Sequence, residues 1–190
     1  GSGILVSKEG HILTAHHVVE DAKGLRITML ETDGSIKTYT ATVVATDEAH
    51  DLAVIKINRS FSQPSAVGGL TDMQPGDAIY SVGYPHDFGE MVSRGSIMRL
   101  NWSEEFRSGN VDNAMLADIK DGAGTSGSGV FDSRNGKLIG VLVMKVWVDR
   151  SRAPATVVHV IVPIKFIRPL LEKARVPFES DYVGPKLPKP

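Results

Sequence analysis

Short runs of valine and isoleucine recur along the whole chain, and glycine, aspartate or asparagine separates one run from the next. Nineteen glycines and ten prolines supply the tight turns that short strands need. The pattern therefore predicts an all-β fold with tight turns. A chain of 190 residues with 42% hydrophobic residues can bury one core or fill two small barrels, and nothing in it indicates a second independent domain.

One segment near the C-terminal end departs from the strand pattern. Apolar residues recur at helical spacing over 164–174, directly after Pro163. Pro169 fits in or near the first turns of a helix, where its missing N–H costs little. We expect a short helix at 164–174, followed by a proline-rich extended tail over 177–190.

Serine chemistry is indicated by the segment Gly124-Thr125-Ser126-Gly127-Ser128-Gly129-Val130-Phe131. Small residues on both sides of Ser126 leave room for a nucleophile and for backbone N–H groups that stabilise an oxyanion. Ser128 lies in a second Gly-Ser-Gly, and we expect it to pack beneath the turn. A serine hydroxyl is a weak nucleophile, so this interpretation requires a histidine base and a carboxylate elsewhere in the chain.

Both partners are present upstream of the serine. His17 follows an apolar strand pattern, and Asp51 precedes an alternating one. His16 and Asp47 are the neighbouring alternatives, although Asp47 has a turn context in which a solvated carboxylate is usual. The chain order of histidine, aspartate and serine is the order of the chymotrypsin-like double β-barrel among the three arrangements known for this triad.

Three further histidines lie in polar, turn-like contexts. They are His11, His50 and His86. We expect all three to face solvent and give them no role in the chemistry.

Four segments together resemble the trypsin-like serine proteases, and within them the HtrA (Deg) branch. Thr14–Val18 is similar to the family's Thr-Asn-Asn-His-Val, with His17 at the catalytic position. Asp47–Ile57 is similar to its Asp-x-x-x-Asp-Ile-Ala-Leu-Leu. The other two are the opening hairpin at 1–14 and the Gly-Asp…Gly-Asn-Pro…Val-Thr-x-Gly-Ile run, matched at 74–85 and 92–97.

The resemblance implies a chymotrypsin-like fold of two six-stranded β-barrels, closed by the C-terminal helix. The barrels would occupy about 1–65 and 75–163, within one protease domain over 1–176. The chain starts in what would be the second half of the opening hairpin, so the resemblance places the first strand ahead of residue 1 and indicates a fragment. HtrA proteins usually continue into a PDZ domain and are commonly trimers.

The serine segment departs from the HtrA pattern, which reads Gly-Asn-Ser-Gly-Gly-Ala-Leu. It looks closer to the Gly-Asn-Ser-Gly-Ser-Pro-Val-Phe of the staphylococcal glutamyl endopeptidases. In trypsins the residue before the nucleophile is an aspartate that pairs with a newly cut N-terminus, whereas Thr125 stands here. Activation by that ion pair is therefore not expected. Loop ordering at 121–124 and in the polar loop Ser103–Asp112 is expected instead.

The resemblance also implies the parts of the site around the nucleophile. Backbone N–H groups of Gly124 and Ser126 would form the oxyanion hole, with Thr125 shaping the turn. A primary specificity pocket would be formed by residues from three segments of the second barrel: Ile119, Lys120, Asp121, Leu142, Val143, Met144 and His159.

The residues of this pocket are mostly apolar or small, which favours a modest aliphatic side chain before the scissile bond. His159 and Lys145 leave open recognition of a carboxylate, as in the glutamyl endopeptidases. Leu142 stands where that branch has its histidine, which weakens the acidic option. A structural role for His159 within a strand is the simpler interpretation.

Composition excludes several other classes of function. A net charge of −1 with interspersed signs gives no basis for nucleic-acid binding. No apolar run approaches the roughly 20 residues that span a bilayer. The chain has no cysteine, so its core alone must hold the fold, and the compartment stays open between periplasm, cytoplasm and a viral particle. No metal or cofactor is expected.

These observations predict a serine endopeptidase that cleaves peptide bonds through an acyl-enzyme. Its substrates would be unfolded or extended protein segments, and it would form a homo-oligomer by family resemblance. The alternative is a catalytically latent protease fold that serves as a binding or structural module in a larger assembly, possibly viral.

Overall fold

The computed structural model describes residues 1–31, 33–68, 73–85, 89–106, 109–120, 124–149 and 156–178. Within these residues the chain forms strands and one α-helix: β1 (Ile4–Leu5), β2 (His11–Ala15), β3 (Leu25–Leu30), β4 (Ile36–Asp47), β5 (Leu52–Ile57), β6 (Ala78–Gly83), β7 (Met91–Phe106), β8 (Gly109–Ala117), β9 (Gly129–Asp132), β10 (Leu138–Asp149), β11 (Thr156–Pro163) and α1 (Ile164–Lys173). The all-β prediction is confirmed, and so is the expected chymotrypsin-like arrangement.

The strands form two sheets that follow one another along the chain. The first has the order β1-β2-β5-β4-β3 and is a five-stranded half-barrel in the described residues. The second closes completely in the order β10-β11-β8-β7-β6-β9. Closure leaves this second sheet without free edges, which protects its strands from pairing with other chains.

The predicted C-terminal helix is present as α1. It begins directly after Pro163, and Pro169 is its sixth residue. The helix buries an apolar face made of Ile164, Ile167, Leu170 and Leu171. This face joins a core cluster that contains side chains from both sheets, so α1 packs the two halves of the molecule together.

The segment Ser103–Asp112 was expected to be a polar loop, and this prediction was wrong. Its described residues are the facing ends of β7 and β8, which pair as an antiparallel hairpin. Ser103 Oγ donates to Asp112 Oδ1 at 2.6 Å, and the Asn113 N–H donates to Ser103 Oγ at 3.0 Å. Strand pairing and these side-chain bonds give the described residues of this segment a defined conformation.

Two of the histidines predicted to face solvent do not do so. His11 is buried, and its Nδ1 lies 2.7 Å from Ser7 Oγ. Burial, with a smaller effect of the Lys56 charge, lowers the pKa of His11. His50 is partly buried, with its ring stacked on Phe166 at a centroid distance of 3.8 Å. The third, His86, lies outside the described residues.

An ion pair fastens the open edge of the first sheet. Arg59, just after β5, donates to both carboxylate oxygens of Glu31, with Nη2 to Oε2 at 2.5 Å. The Tyr39 hydroxyl donates to Glu31 Oε1 at 2.7 Å, and the guanidinium of Arg59 lies over the Tyr39 and Phe61 rings. The β3–β4 hairpin is therefore tied to the segment that follows β5.

Replacing Glu31 by glutamine is expected to lower the unfolding midpoint at pH 7 and to flatten its fall on acidification. Hydrogen bonds from Arg59 and then Tyr39 lower the pKa of Glu31. A carboxyl group with a lowered pKa stabilises the fold above its unfolded-state pKa, and this stabilisation is lost as pH falls through the folded-state value. Thermal unfolding between pH 7 and about pH 3 measures this. Glu172→Gln, at an exposed position on α1, is the control, and equal acid dependence in both variants would contradict the prediction.

Candidate active site

His17 and Asp51 lie together because the strands that precede and follow them are paired. His17 follows β2 in a 3₁₀ turn, and Asp51 directly precedes β5. β2 and β5 are antiparallel, with Ala15 opposite Leu52, so the end of one strand meets the start of the other. Asp51 has the left-handed backbone conformation, with φ 53° and ψ 46°, which aspartate tolerates better than most residues.

Both carboxylate oxygens of Asp51 contact His17. The His17 N–H donates to Asp51 Oδ1 at 2.8 Å, and His17 Nδ1 lies 2.7 Å from Asp51 Oδ2. An ionised carboxylate only accepts, so Nδ1 carries the proton and a neutral ring leaves Nε2 as an acceptor. His16 approaches Asp51 only through its backbone, whose N–H donates to Asp51 O at 3.0 Å, and Asp47 bonds to His50 instead.

Ser126 lies in a tight turn between the two halves of the molecule. Gly124 and Gly127 flank it with φ values of +85° and +89°, which residues with side chains rarely adopt. The Gly127 N–H donates to Leu142 O at 2.7 Å, and the Ser128 N–H donates to Thr125 O at 2.9 Å. Ser128 is fully buried beneath this turn.

Ser126 and His17 line the same cleft, which has a volume of about 740 Å³. Ser126 Oγ donates to Val143 O at 3.5 Å, and within the described part of the chain it makes no hydrogen bond to His17. A bond of that length is weak, so it holds the hydroxyl only loosely. Bonds between nucleophile and base are often long in unliganded sites and tighten when substrate binds.

Two backbone donors lie beside the nucleophile. Neither the Gly124 N–H nor the Ser126 N–H donates to another described residue. The Gly124 carbonyl is occupied by Ser2 Oγ at 3.1 Å, and the Ser126 carbonyl accepts from the Ser2 N–H at 2.8 Å. Thr125 is buried between them. The turn can therefore offer N–H groups to a ligand while its carbonyls are held elsewhere.

Comparisons with known proteins identify the family of the chain. The family model described as the trypsin-like peptidase domain matches residues 1–141. The chain belongs to this family. The serine endoprotease DegS of Haemophilus influenzae is 28% identical over 146 residues, covering 77% of this chain and 42% of that protein. The chloroplastic Protease Do-like 1 of Arabidopsis thaliana is 30% identical over 145 residues, covering 74% of this chain and 32% of that protein.

Solved structures show the same fold. The HtrA-type protease AlgW with a decapeptide superposes with a TM-score of 0.76 at 24% identity, covering 92% of this chain and 51% of that one. The MamO protease domain of Magnetospirillum magneticum gives 0.71 at 20% identity, covering 88% and 85%. The peptidase domain described here spans less than half the length of the curated relatives named above.

The residues expected to form the specificity pocket of this peptidase domain do not all lie at the cleft. Val143 and Met144 line the cleft with Ser126. Ile119 and Leu142 are buried in a core cluster of the second barrel. His159 is buried on β11, opposite Lys145 of β10. Lys120 is exposed, and Asp121 lies outside the described residues.

A β-bulge at Val143 places the carbonyl of this residue, rather than its buried side chain, at the cleft beside Met144. Successive side chains of a regular strand point to opposite faces. In β10, Leu142 pairs with Ile161 and Met144 pairs with Val160, so Val143 is an extra residue without a partner on β11. The bulge turns the carbonyl of Val143 towards Ser126 Oγ.

Sequence reasoning missed several residues that form the site. Ser2 holds the nucleophile turn, and three acidic residues, Glu20, Glu48 and Asp112, line the cleft. Their proximity depends on strand pairing over long distances, for which no local sequence signal exists. Among the described residues no group of three or more His, Cys, Asp or Glu is arranged to hold a metal. The helix α1 and the rest of the described chain offer no helical segment suited to crossing a bilayer.

Proposed function

We propose that this chain is the catalytic domain of an HtrA-type serine endopeptidase, with His17, Asp51 and Ser126 as its triad. The observation that carries the proposal is the two-point contact of Asp51 with His17 on the cleft that also contains Ser126. Family membership supports peptide-bond hydrolysis as the reaction.

In the proposed mechanism His17 Nε2 removes the proton of Ser126 Oγ as that oxygen attacks the substrate carbonyl. A new C–O bond forms, and the π electrons of the carbonyl move onto its oxygen. Imidazolium His17 then donates its proton to the leaving amine as the C–N bond breaks, which leaves an acyl-enzyme. Water, deprotonated by His17, hydrolyses the ester and regenerates Ser126. Asp51 holds the ring and stabilises its positive charge throughout.

The N–H groups of Gly124 and Ser126 would stabilise the oxyanion. Both lack partners among the described residues and flank the nucleophile. Removing one such donor typically slows catalysis by about 10²-fold to 10³-fold, because the charge develops in a site with little water. The buried neighbours of the turn, Thr125 and Ser128, exclude water from this side.

We infer that the substrates are extended or unfolded polypeptide segments with a modest aliphatic residue before the scissile bond. Met144, which is partly buried, supplies apolar surface in the cleft that contains Ser126, whereas the side chain of Val143 is buried and its carbonyl faces Ser126 Oγ. The acidic alternative requires a cation in the pocket, and Lys145 and His159 are the candidates. We also propose that the chain assembles into a homo-oligomer, and this proposal is based only on its similarity to HtrA-type proteases.

Labelling with a fluorophosphonate tests the proposed function directly. We expect one covalent adduct, and mass spectrometry should locate it on Ser126, because an activated serine beside an oxyanion hole reacts selectively with this reagent. Ser128→Ala is the matched control, since Ser128 Oγ is buried and has no hydrogen-bond partner among the described residues, and its labelling should equal that of the wild type. A folded chain without an adduct would favour the latent, structural alternative.

A further inference from the structure

Ser2 uses all of its polar groups to join separate parts of the site. Its N–H donates to Ser126 O at 2.8 Å, and its Oγ donates to Gly124 O at 3.1 Å. The same Oγ accepts from the Tyr84 N–H at 2.9 Å. Ser2 O accepts from Thr14 Oγ1 at 2.6 Å. Ser2 is 8% exposed, so water competes little for these four bonds.

The two carbonyls that Ser2 holds belong to the peptide groups on either side of the Ser126 N–H. The Gly124 carbonyl fixes the peptide plane before Thr125, and the Ser126 carbonyl fixes the plane before Gly127. The peptide group that carries the Ser126 N–H lies between these two fixed planes. The carbonyl of this peptide group, Thr125 O, accepts from the Ser128 N–H at 2.9 Å, and Ser2 adds to that bond by restricting the rotation of the group from both ends.

We propose that Ser2 is a positioning residue that sets the direction of the Ser126 N–H and thereby forms the oxyanion hole. This inference rests on the proposed function, because the oxyanion hole has a purpose only in acyl transfer. Ser2 touches neither substrate nor the reacting atoms, and it acts through the backbone of the nucleophile turn.

Ser2 also connects the turn to the strand that leads to His17. Thr14, whose hydroxyl bonds to Ser2 O, is on β2, three residues before His17. Gly127 packs directly against Ser2 O, and Gly83 lies next to Ser2 Oγ. Ser2 thus sets the position of the nucleophile turn relative to the histidine that would activate it.

Ser2→Ala tests this proposal because it removes both bonds of the hydroxyl and keeps the backbone bonds. We expect kcat for an extended peptide to fall about 30-fold with KM within about twofold, less than the loss of a whole oxyanion donor. Amide exchange over 124–130 should become faster. Ser2→Thr, which keeps a hydroxyl, should recover most of kcat.

Ser7→Ala is the matched control. Ser7 is a buried serine in the turn between β1 and β2, and its Oγ lies 2.7 Å from His11 Nδ1, with no bond to the described residues of the nucleophile turn. It should lose thermal stability to a similar extent while kcat stays within about twofold. Equal losses of kcat in the two alanine variants would show general destabilisation and overturn the proposal, as would unchanged kcat in Ser2→Ala.

Thr14→Val is a second variant that tests the role of Ser2. If Ser2→Ala does not fold, Thr14→Val, which removes only the bond to Ser2 O, should lower kcat about threefold. An unchanged kcat there would overturn the inference. A wild-type chain that neither hydrolyses peptides nor takes fluorophosphonate would instead contradict the proposed function. The exchange rates over 124–130 would then show whether Ser2 holds the turn.

Discussion

Asp51→Asn is expected to lower kcat/KM by about 10⁴-fold while leaving the fold intact. The His17 N–H requires an acceptor at the position of Oδ1, so the amide oxygen of the asparagine takes that place. Its NH₂ group then faces His17 Nδ1, which must become the acceptor. The ring proton moves to Nε2, and His17 can no longer take the proton of Ser126.

The backbone conformation of Asp51 allows asparagine to replace it without added strain. Asp51 has φ 53°, and asparagine is among the few residues with a side chain that tolerate this conformation. The unfolding midpoint should therefore change little. Asp47→Asn, which alters the bond to His50, is the matched control and should keep kcat/KM within about threefold of the wild type. Activity of Asp51→Asn within tenfold of the wild type would exclude Asp51 from the proposed triad.

The pairing of His17 with Asp51 was predictable because each residue adjoins a strand with a clear apolar pattern. These two strands pair as antiparallel neighbours, which places the end of β2 next to the start of β5. The same reasoning located α1, where the apolar spacing changes from strand to helix. The apolar pattern within each of these segments carries this information by itself.

Ser2 could not be found in this way. Its bonds to Tyr84 and Gly124 join residues 82 and 122 positions apart, and nothing in the local sequence encodes them. The hairpin at Ser103–Asp112 was missed for a different physical reason. Described residues on both of its faces are exposed, so the alternation of apolar and polar residues that marks a half-buried strand is absent.

The specificity pocket shows a third limit of sequence reasoning. Leu142, Val143 and Met144 were predicted to line it together, whereas Leu142 is buried in the barrel core. Strand alternation predicts that neighbours point apart, but it cannot reveal a bulge, which depends on one extra residue relative to the partner strand. The proposed aliphatic preference accordingly depends on Met144, because the side chains of Leu142 and Val143 are both buried in the core.

Gly127→Ala is expected to damage both stability and activity. A Cβ at this position would overlap Ser2 O and Thr14 Oγ1, and φ is +89°. The strained backbone and the disrupted bond between Thr14 and Ser2 together should lower the free energy of unfolding by about 3 kcal/mol. The displaced turn should lower kcat/KM by about 10³-fold, because both the nucleophile and the oxyanion donors move.

Gly76→Ala separates backbone strain from the overlap of atoms. Gly76 has φ +95° with open space around the position of a Cβ, so its alanine variant carries the strain alone. It should lose about 1 kcal/mol of stability and keep its activity, as measured by chemical unfolding and peptide hydrolysis. Equal stability losses in the two variants would mean that Ser2 and Thr14 can move away from the added Cβ at position 127 without a measurable loss of stability. Full activity of Gly127→Ala would show that the chemistry does not depend on the geometry of this turn.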